Sequence, residues 1–120
     1  MIIQNVFDLE DGLRSLVDKE LPIPVAFKIQ KNHAKVVDEL KIANELRKKL
    51  INKYKESETD DGNVVIKKDK VEIFNKEYDE FLQQETDVQL SDIKLSELKS
   101  IAVTPRTLSL LSTILKEDES

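Results

Sequence analysis

His33 is the only histidine of the chain, and Arg47 lies two heptads further along the same apolar stripe. A charge in such a lane is costly unless it is partnered or reaches an exposed edge. Acids elsewhere in the fold are the expected partners of both. Read structurally, His33 is satisfied by a backbone group or a carboxylate; read functionally, it is a pH-sensitive contact at a subunit interface. Catalysis is not assigned to it, because the chain has no cysteine and no companion motif that would orient a base or supply a nucleophile. With two glycines there is no Gly-rich phosphate loop. Acidic pairs such as Asp60/Asp61 and Asp118/Glu119 fall in a turn and a tail without a rigid scaffold, where solvation accounts for them. The sequence therefore assigns no catalytic residue, no metal site and no cofactor, and the chain is read as a non-enzyme.

Cations aligned on a helix are the other chemistry on offer. Val25 to Lys55 carries nine Lys or Arg against three acids, an excess of six positive charges in a chain whose net charge is −5. Lys28, Lys35, Lys41, Lys48, Lys49 and Lys55 share one flank as a lysine ridge, bounded by Asp38 and Glu45. Such a ridge either balances the protein's own acids or binds an acidic partner. Nucleic acid is the less favoured occupant, since the isoelectric point is near 5.0, the helix has one arginine, and no aromatics interleave with the lysines. A nucleotide or other small ligand contacted by the ridge and His33 at a subunit boundary is a further alternative.

The element that must position these groups is a helix from Val25 to Lys55. With heptad a at Ala26, His33, Leu40, Arg47 and Tyr54, and d at Ile29, Val36, Ala43 and Leu50, two lanes merge into one stripe. Val37, Ile51, Val25 and Leu46 widen it beyond a strict zipper, so it suits a core first and an oligomer seam second. Leu9, Leu13, Leu16 and Val17 place a first helix over Asp8–Glu20, with Asn5 and Asp8 as candidate caps. Leu21–Pro24 is read as a stiff elbow, and residues 56–63 as a mobile acidic turn. Val64–Ile66 is a short strand whose expected partner is Asp87–Leu90, with Met1–Ile3 competing.

Asp69 followed by Glu72 reads as a capped start to an acidic helix bearing Val71, Phe74, Tyr78, Phe81 and Leu82. Packed on the long helix, its acids Glu77, Asp79 and Glu80 would approach the lysine ridge. Ser96 can cap a single turn, and Thr104–Pro105 opens a leucine-rich last helix. Leu108, Leu111 and Leu115 form its face, with Leu110 and Ile114 beside it. That much leucine exceeds one narrow core face, making this helix the expected partner or subunit contact. Residues 116–120 read as a disordered acidic tail.

The expected architecture is thus α+β and mainly helical, a single domain over residues 1–120. The long basic helix packs against the acidic aromatic helix and the leucine-rich helix, with a small two-stranded β element. Zero cysteines suits a reducing compartment. No segment approaches the roughly 20 apolar residues of a membrane span, and Met1–Phe7 lacks a basic start.

Three runs carry a resemblance: Leu21-Pro-Ile-Pro-Val-Ala-Phe-Lys-Ile-Gln-Lys-Asn-His33, Phe74-Asn-Lys-Glu-Tyr-Asp-Glu-Phe-Leu-Gln-Gln-Glu-Thr-Asp-Val88, and Ile93-Lys-Leu-Ser-Glu-Leu98 with Val103-Thr-Pro105. Together they resemble a family of short proteins of uncharacterised function encoded by tailed bacteriophages and prophages. The resemblance implies a phage protein in the cytoplasm of a host bacterium, or associated with the virion, and brings no active-site residues. The expected function is a non-enzymatic binding and assembly protein that forms a homo-oligomer and engages a phage or host protein, in virion assembly or host takeover. Its contact residues would be Lys28, His33, Lys35, Lys41, Arg47, Lys48, Leu108, Leu111 and Leu115. The small-ligand alternative would make it a nucleotide sponge that counters host defence.

Overall fold

The computed structural model describes residues 1–118. It is a mainly helical α+β fold, elongated to 55 × 31 × 24 Å because one helix runs its length. That helix, α2, spans Ile23–Tyr54. Pro22 stands at its N-cap and Pro24 inside its first turn, where a fixed φ and a missing N–H cost nothing. The elbow is therefore shorter than Leu21–Pro24.

The stripe that α2 buries is Val25, Ile29, Asn32, Val36, Leu40, Ala43 and Tyr54. It contains the expected d positions Ile29, Val36 and Ala43, but its polar interruption is Asn32, and His33 sits at its margin. Asn32 uses both ends of its amide on one partner: the NH2 donates to the Ser91 carbonyl at 2.9 Å, and the side-chain oxygen accepts from the Ser91 N–H at 3.0 Å. A pleated strand offers a neighbour the same two bonds. Through them α2 holds the extended segment 83–92 along its flank.

The first helix, α1, spans Ile3–Arg14, five residues earlier than the Asp8 start expected. Its start depends on tertiary pairing rather than a side-chain cap. Ile2 bridges Glu85, the Ile3 N–H donates to the Gln84 carbonyl at 2.9 Å, and the Thr86 N–H donates to the Met1 carbonyl at 2.7 Å. Asn5 and Asp8, the expected caps, are inside the helix. Ile3, Val6, Leu9 and Leu13 then fall on one face and bury against α2.

Beyond α2 the chain turns straight into strand β1, Lys55–Glu58, which pairs antiparallel with β2, Val64–Ile66. The segment expected as an acidic turn thus supplies a strand, and the partner of Val64–Ile66 is neither Asp87–Leu90 nor Met1–Ile3. A hairpin closes the shortest available loop. Gly62 takes φ +86° at its tip, and the Thr59 side chain accepts the Asn63 N–H at 3.1 Å.

Helix α3, Val71–Leu82, follows a 3-10 turn at Lys68–Lys70. Lys70 holds the N-cap position without a side-chain bond, so the expected Asp69 cap is absent. Its aromatics form a row, Tyr54–Phe74–Tyr78–Phe81–Phe7, with ring centroids 5.7 to 6.4 Å apart. Mostly edge-on and tilted, these contacts fasten α3 across the C-terminal end of α2 and onto α1.

The C-terminal part begins with β3, Ile93–Lys94, parallel to β4, Leu115–Lys116, a second strand pair where one was expected. Between them lie a 3-10 turn at Leu95–Leu98 and helix α4, Pro105–Leu110. Thr104 caps α4 as expected, its hydroxyl oxygen accepting the Thr107 N–H at 3.2 Å. Leu111 and Ile114, just past α4, are buried in the core with Ile93 and Leu98. Gly12 permits this approach: a Cβ there would stand 2.9 Å from Leu111 Cδ2 and 3.1 Å from Leu110 Cβ. The expected tail starts in order, with Lys116 in β4 and the Asp118 carboxylate accepting from the Ser96 N–H and hydroxyl. Residues 119 and 120, the end of that tail, lie outside the described residues.

Candidate functional site

The nine residues singled out in the sequence separate into three groups. Leu108, Leu111 and Leu115 belong to the interior: Leu111 is fully buried, and the other two pack half-buried against the core. With Leu111 turned inward over Gly12 and the other two against the core, this leucine set is not a free face. The sequence argument failed because it assumed a helix reaching Leu115. The helix ends at Leu110, and the turns after it send Leu111 and Ile114 into the core.

The lysine ridge is the second group, and the fold uses its N-terminal half. Lys28 Nζ donates to both carboxylate oxygens of Glu97, at 2.9 and 3.0 Å, and Lys35 Nζ donates to the Gln89 carbonyl at 3.1 Å. Glu97 also accepts the Lys94 N–H at 2.9 Å. That N–H holds its carboxyl below the usual carboxylate range, burial opposes the shift, and Lys28 adds to it. The acids of α3 do not cover the ridge as expected. Glu77 serves the other end of α2, accepting the Tyr54 hydroxyl at 2.9 Å and lying 3.6 Å from Lys53 Nζ. Lys48 is exposed, and among the described residues Lys41 pairs with Asp38 alone, one turn away on the same exposed helix surface, at 3.2 Å.

The third group is brought together. Lys41 and Arg47 edge the cleft between α1 and α2, a volume of about 400 Å³ that also receives Phe7, Glu10, Arg14 and Asn44, and His33 stands behind its Glu10. His33 Nε2 lies 3.8 Å from Glu10 Oε1, and Arg14 Nη1 lies 3.5 Å from Glu10 Oε2. The carboxylate expected for His33 is therefore Glu10, at ion-pair range but beyond a hydrogen bond. Arg47 has no carboxylate partner among the described residues; its guanidinium carbon stands 5.6 Å from the Phe7 ring centroid. Both His33 Nε2 and Arg47 Nε are buried without a hydrogen-bond partner.

Phe7 was missed because α1 was expected to begin at Asp8, whereas Glu10, Arg14 and Asn44 lay within expected helices and gain their role only where α1 docks on α2. A spacing of Ile3, Val6, Leu9 and Leu13 would have placed Glu10 and Arg14 one turn apart on its rim. Asn32 was missed because the stripe was centred one residue too far along.

Outside its buried stripe, α2 presents apolar side chains to water. Ile23, Phe27, Ile42 and Leu46 are 84, 67, 67 and 48% exposed, and Lys31 Nζ lies 6.0 Å from the Phe27 ring centroid. Among the described residues, no group of three or more His, Cys, Asp or Glu side chains is placed to hold a metal ion. No described helix is long and apolar enough to cross a membrane. No protein-family model matches the chain, and neither curated proteins nor solved structures provide a match.

Proposed function

We propose that this chain is a non-enzymatic binding and assembly protein that pairs with a second copy of itself through the outer face of α2 and so engages a protein partner. The observation that carries this reading is the set of outward apolar residues on a rigid 32-residue helix whose other face is the core. The charges on that face suit a second copy running antiparallel. With a two-fold axis at the level of Val36 and Val37, Phe27 of one copy lies opposite Leu46 of the other. The same axis sets Lys35 opposite Asp38, and the small, exposed Ala34 allows close approach near the crossing. The resemblance to tailed-phage proteins supports a role in virion assembly or host takeover.

Engineered cysteines test the pairing, because the native chain has none. Residues 27 and 46 of one helix are about 28 Å apart at 1.5 Å per residue, and a disulfide needs Cα atoms within about 7 Å. Mixed under oxidation, Phe27→Cys and Leu46→Cys chains are expected to give a covalent dimer, while neither variant gives one alone. A monomeric solution mass for the native chain at high concentration, or equal cross-linking by Phe27→Cys alone, would sink the arrangement. Partner engagement is tested by comparing what co-purifies with the native chain and with Phe27→Asp from phage-infected cells. Identical material from both removes this face as the contact.

A further inference from the structure

We infer that the cleft between α1 and α2 binds the phosphate group of a small phosphomonoester. This inference is independent of the self-association face, since the cleft opens on a different flank of α2. Its first ground is the orphaned arginine. Arg47 Nε is buried with no hydrogen-bond partner, and no carboxylate of the described residues pairs with this side chain. A buried cationic donor left unmade is expensive, and an oxyanion that accepts from it removes that cost. The Phe7 ring centroid stands 5.6 Å from the guanidinium carbon, within cation–π range, and the planar guanidinium is the side chain suited to bidentate recognition of a phosphate.

The second ground is convergence. Arg14, Lys41 and Arg47 line one cleft together with the Asn44 amide, against a single lining carboxylate, Glu10. Arg14 already offsets Glu10 at 3.5 Å and donates to the Asp11 carboxylate, so the cations left to an anion are Lys41 and Arg47. The competing partner of Lys41 is Asp38, in a pair so exposed that water and salt screen it, which leaves Lys41 able to swing to an anion. The volume of about 400 Å³ fits a small ligand. Phe7 and Leu40 provide apolar wall for whatever the phosphate is attached to. On the opposite flank of α2, the smaller groove at Ile42 and Leu46 is rimmed by Glu39 and Glu85, so it repels an anion. The cationic cleft is thus the side of α2 that selects one. Lys28 and Lys35, spent on Glu97 and Gln89, take no part.

Thermal-shift titration of the full chain at constant ionic strength tests this, using inorganic phosphate, adenosine monophosphate and adenosine as probes. A ligand that binds only the folded state raises the melting temperature by mass action. Inorganic phosphate and adenosine monophosphate are expected to raise it and adenosine to leave it unchanged; a larger rise with the monophosphate assigns the apolar wall to the attached group. Arg47→Met is expected to melt no lower than the native chain without ligand, since it removes an unmatched buried donor, yet to bind phosphate at least tenfold more weakly. Lys41→Gln, at an exposed position that folding does not need, is expected to weaken binding in the same direction. No rise with either phosphate-bearing probe at millimolar concentration overturns the inference. So does a rise that both variants retain.

Discussion

Leu111 and Phe27 are both large apolar side chains at or beside a helix, and their surroundings are opposite. Leu111 is fully buried beside Gly12, and Phe27 is 67% exposed with a lysine beside its ring. The difference comes from what each backbone does next. The chain after Pro105–Leu110 turns within a few residues, and those turns drive Leu111 and Ile114 between α1 and the C-terminal strand pair. Helix α2 runs on for 32 residues, and only one stripe of it meets the core. A short helix followed by turns can bring its apolar side chains onto the core, whereas a long one must leave a face in water. Apolar density along a chain therefore marks the interior in one place and a contact surface in another.

The largest expected effect tests the buried side of this contrast. Leu111→Ala is expected to cost about 2–5 kcal/mol through the cavity it leaves. That lowers the melting temperature on the order of 10 °C, while Phe27→Ala stays within about 0.5 kcal/mol. Calorimetry on the two variants decides it, and equal losses would erase the distinction. Next in size is Gly12→Leu, whose side chain has to displace Leu111 and Leu110. A cost of about 1–3 kcal/mol is expected, read from the urea midpoint; a neutral result would mean that α1 and α4 are not in close contact.

Asn32→Ala removes the acceptor of the Ser91 N–H and the donor to its carbonyl, and is expected to cost about 1–3 kcal/mol. Hydrogen exchange should show protection lost at Ser91 while α1 stays protected. Uniform loss, or none, contradicts the local role of this pair. The smallest effect is in pH. The folded carboxyl of Glu97 is held low by the Lys94 N–H and by Lys28, and that of Asp118 by the Ser96 hydroxyl and N–H. A carboxylate depressed on folding stabilises above its unfolded value and loses that contribution as pH falls through the folded one. The Leu95–Leu98 turn is thus expected to loosen below about pH 4, before the α1–α2 core. Amide exchange of Lys94 and Ser96 at pH 6 and pH 3 checks this.

What was legible beforehand follows from range of interaction. The periodicity of α2, the Thr104–Pro105 start and the mainly helical α+β class rest on residues within a few positions of one another, and the fold has them. The start of α1 is set by residues 84–86, and the burial of Leu111 by Gly12 nearly a hundred positions away. No local pattern encodes either. For the cleft, the chain announced His33 and Arg47 by the polar gaps they make in an apolar stripe. Their neighbours Phe7, Glu10 and Arg14 arrive on another helix, so the grouping exists only after α1 has docked.

The two bonds between Asn32 and Ser91 join positions 59 residues apart. The α1–α2 pair and the β1–β2 hairpin close over far shorter stretches, so their entropy is recovered first. Segment 83–92 attaches to Met1–Ile3 at one end and to Asn32 at the other, contacts of long sequence separation in both cases, which makes its docking a late step in folding. Removing the amide should then leave the refolding rate nearly unchanged and accelerate unfolding. In kinetic terms Asn32 is a latch, which governs how long the finished molecule stays closed rather than how fast it forms.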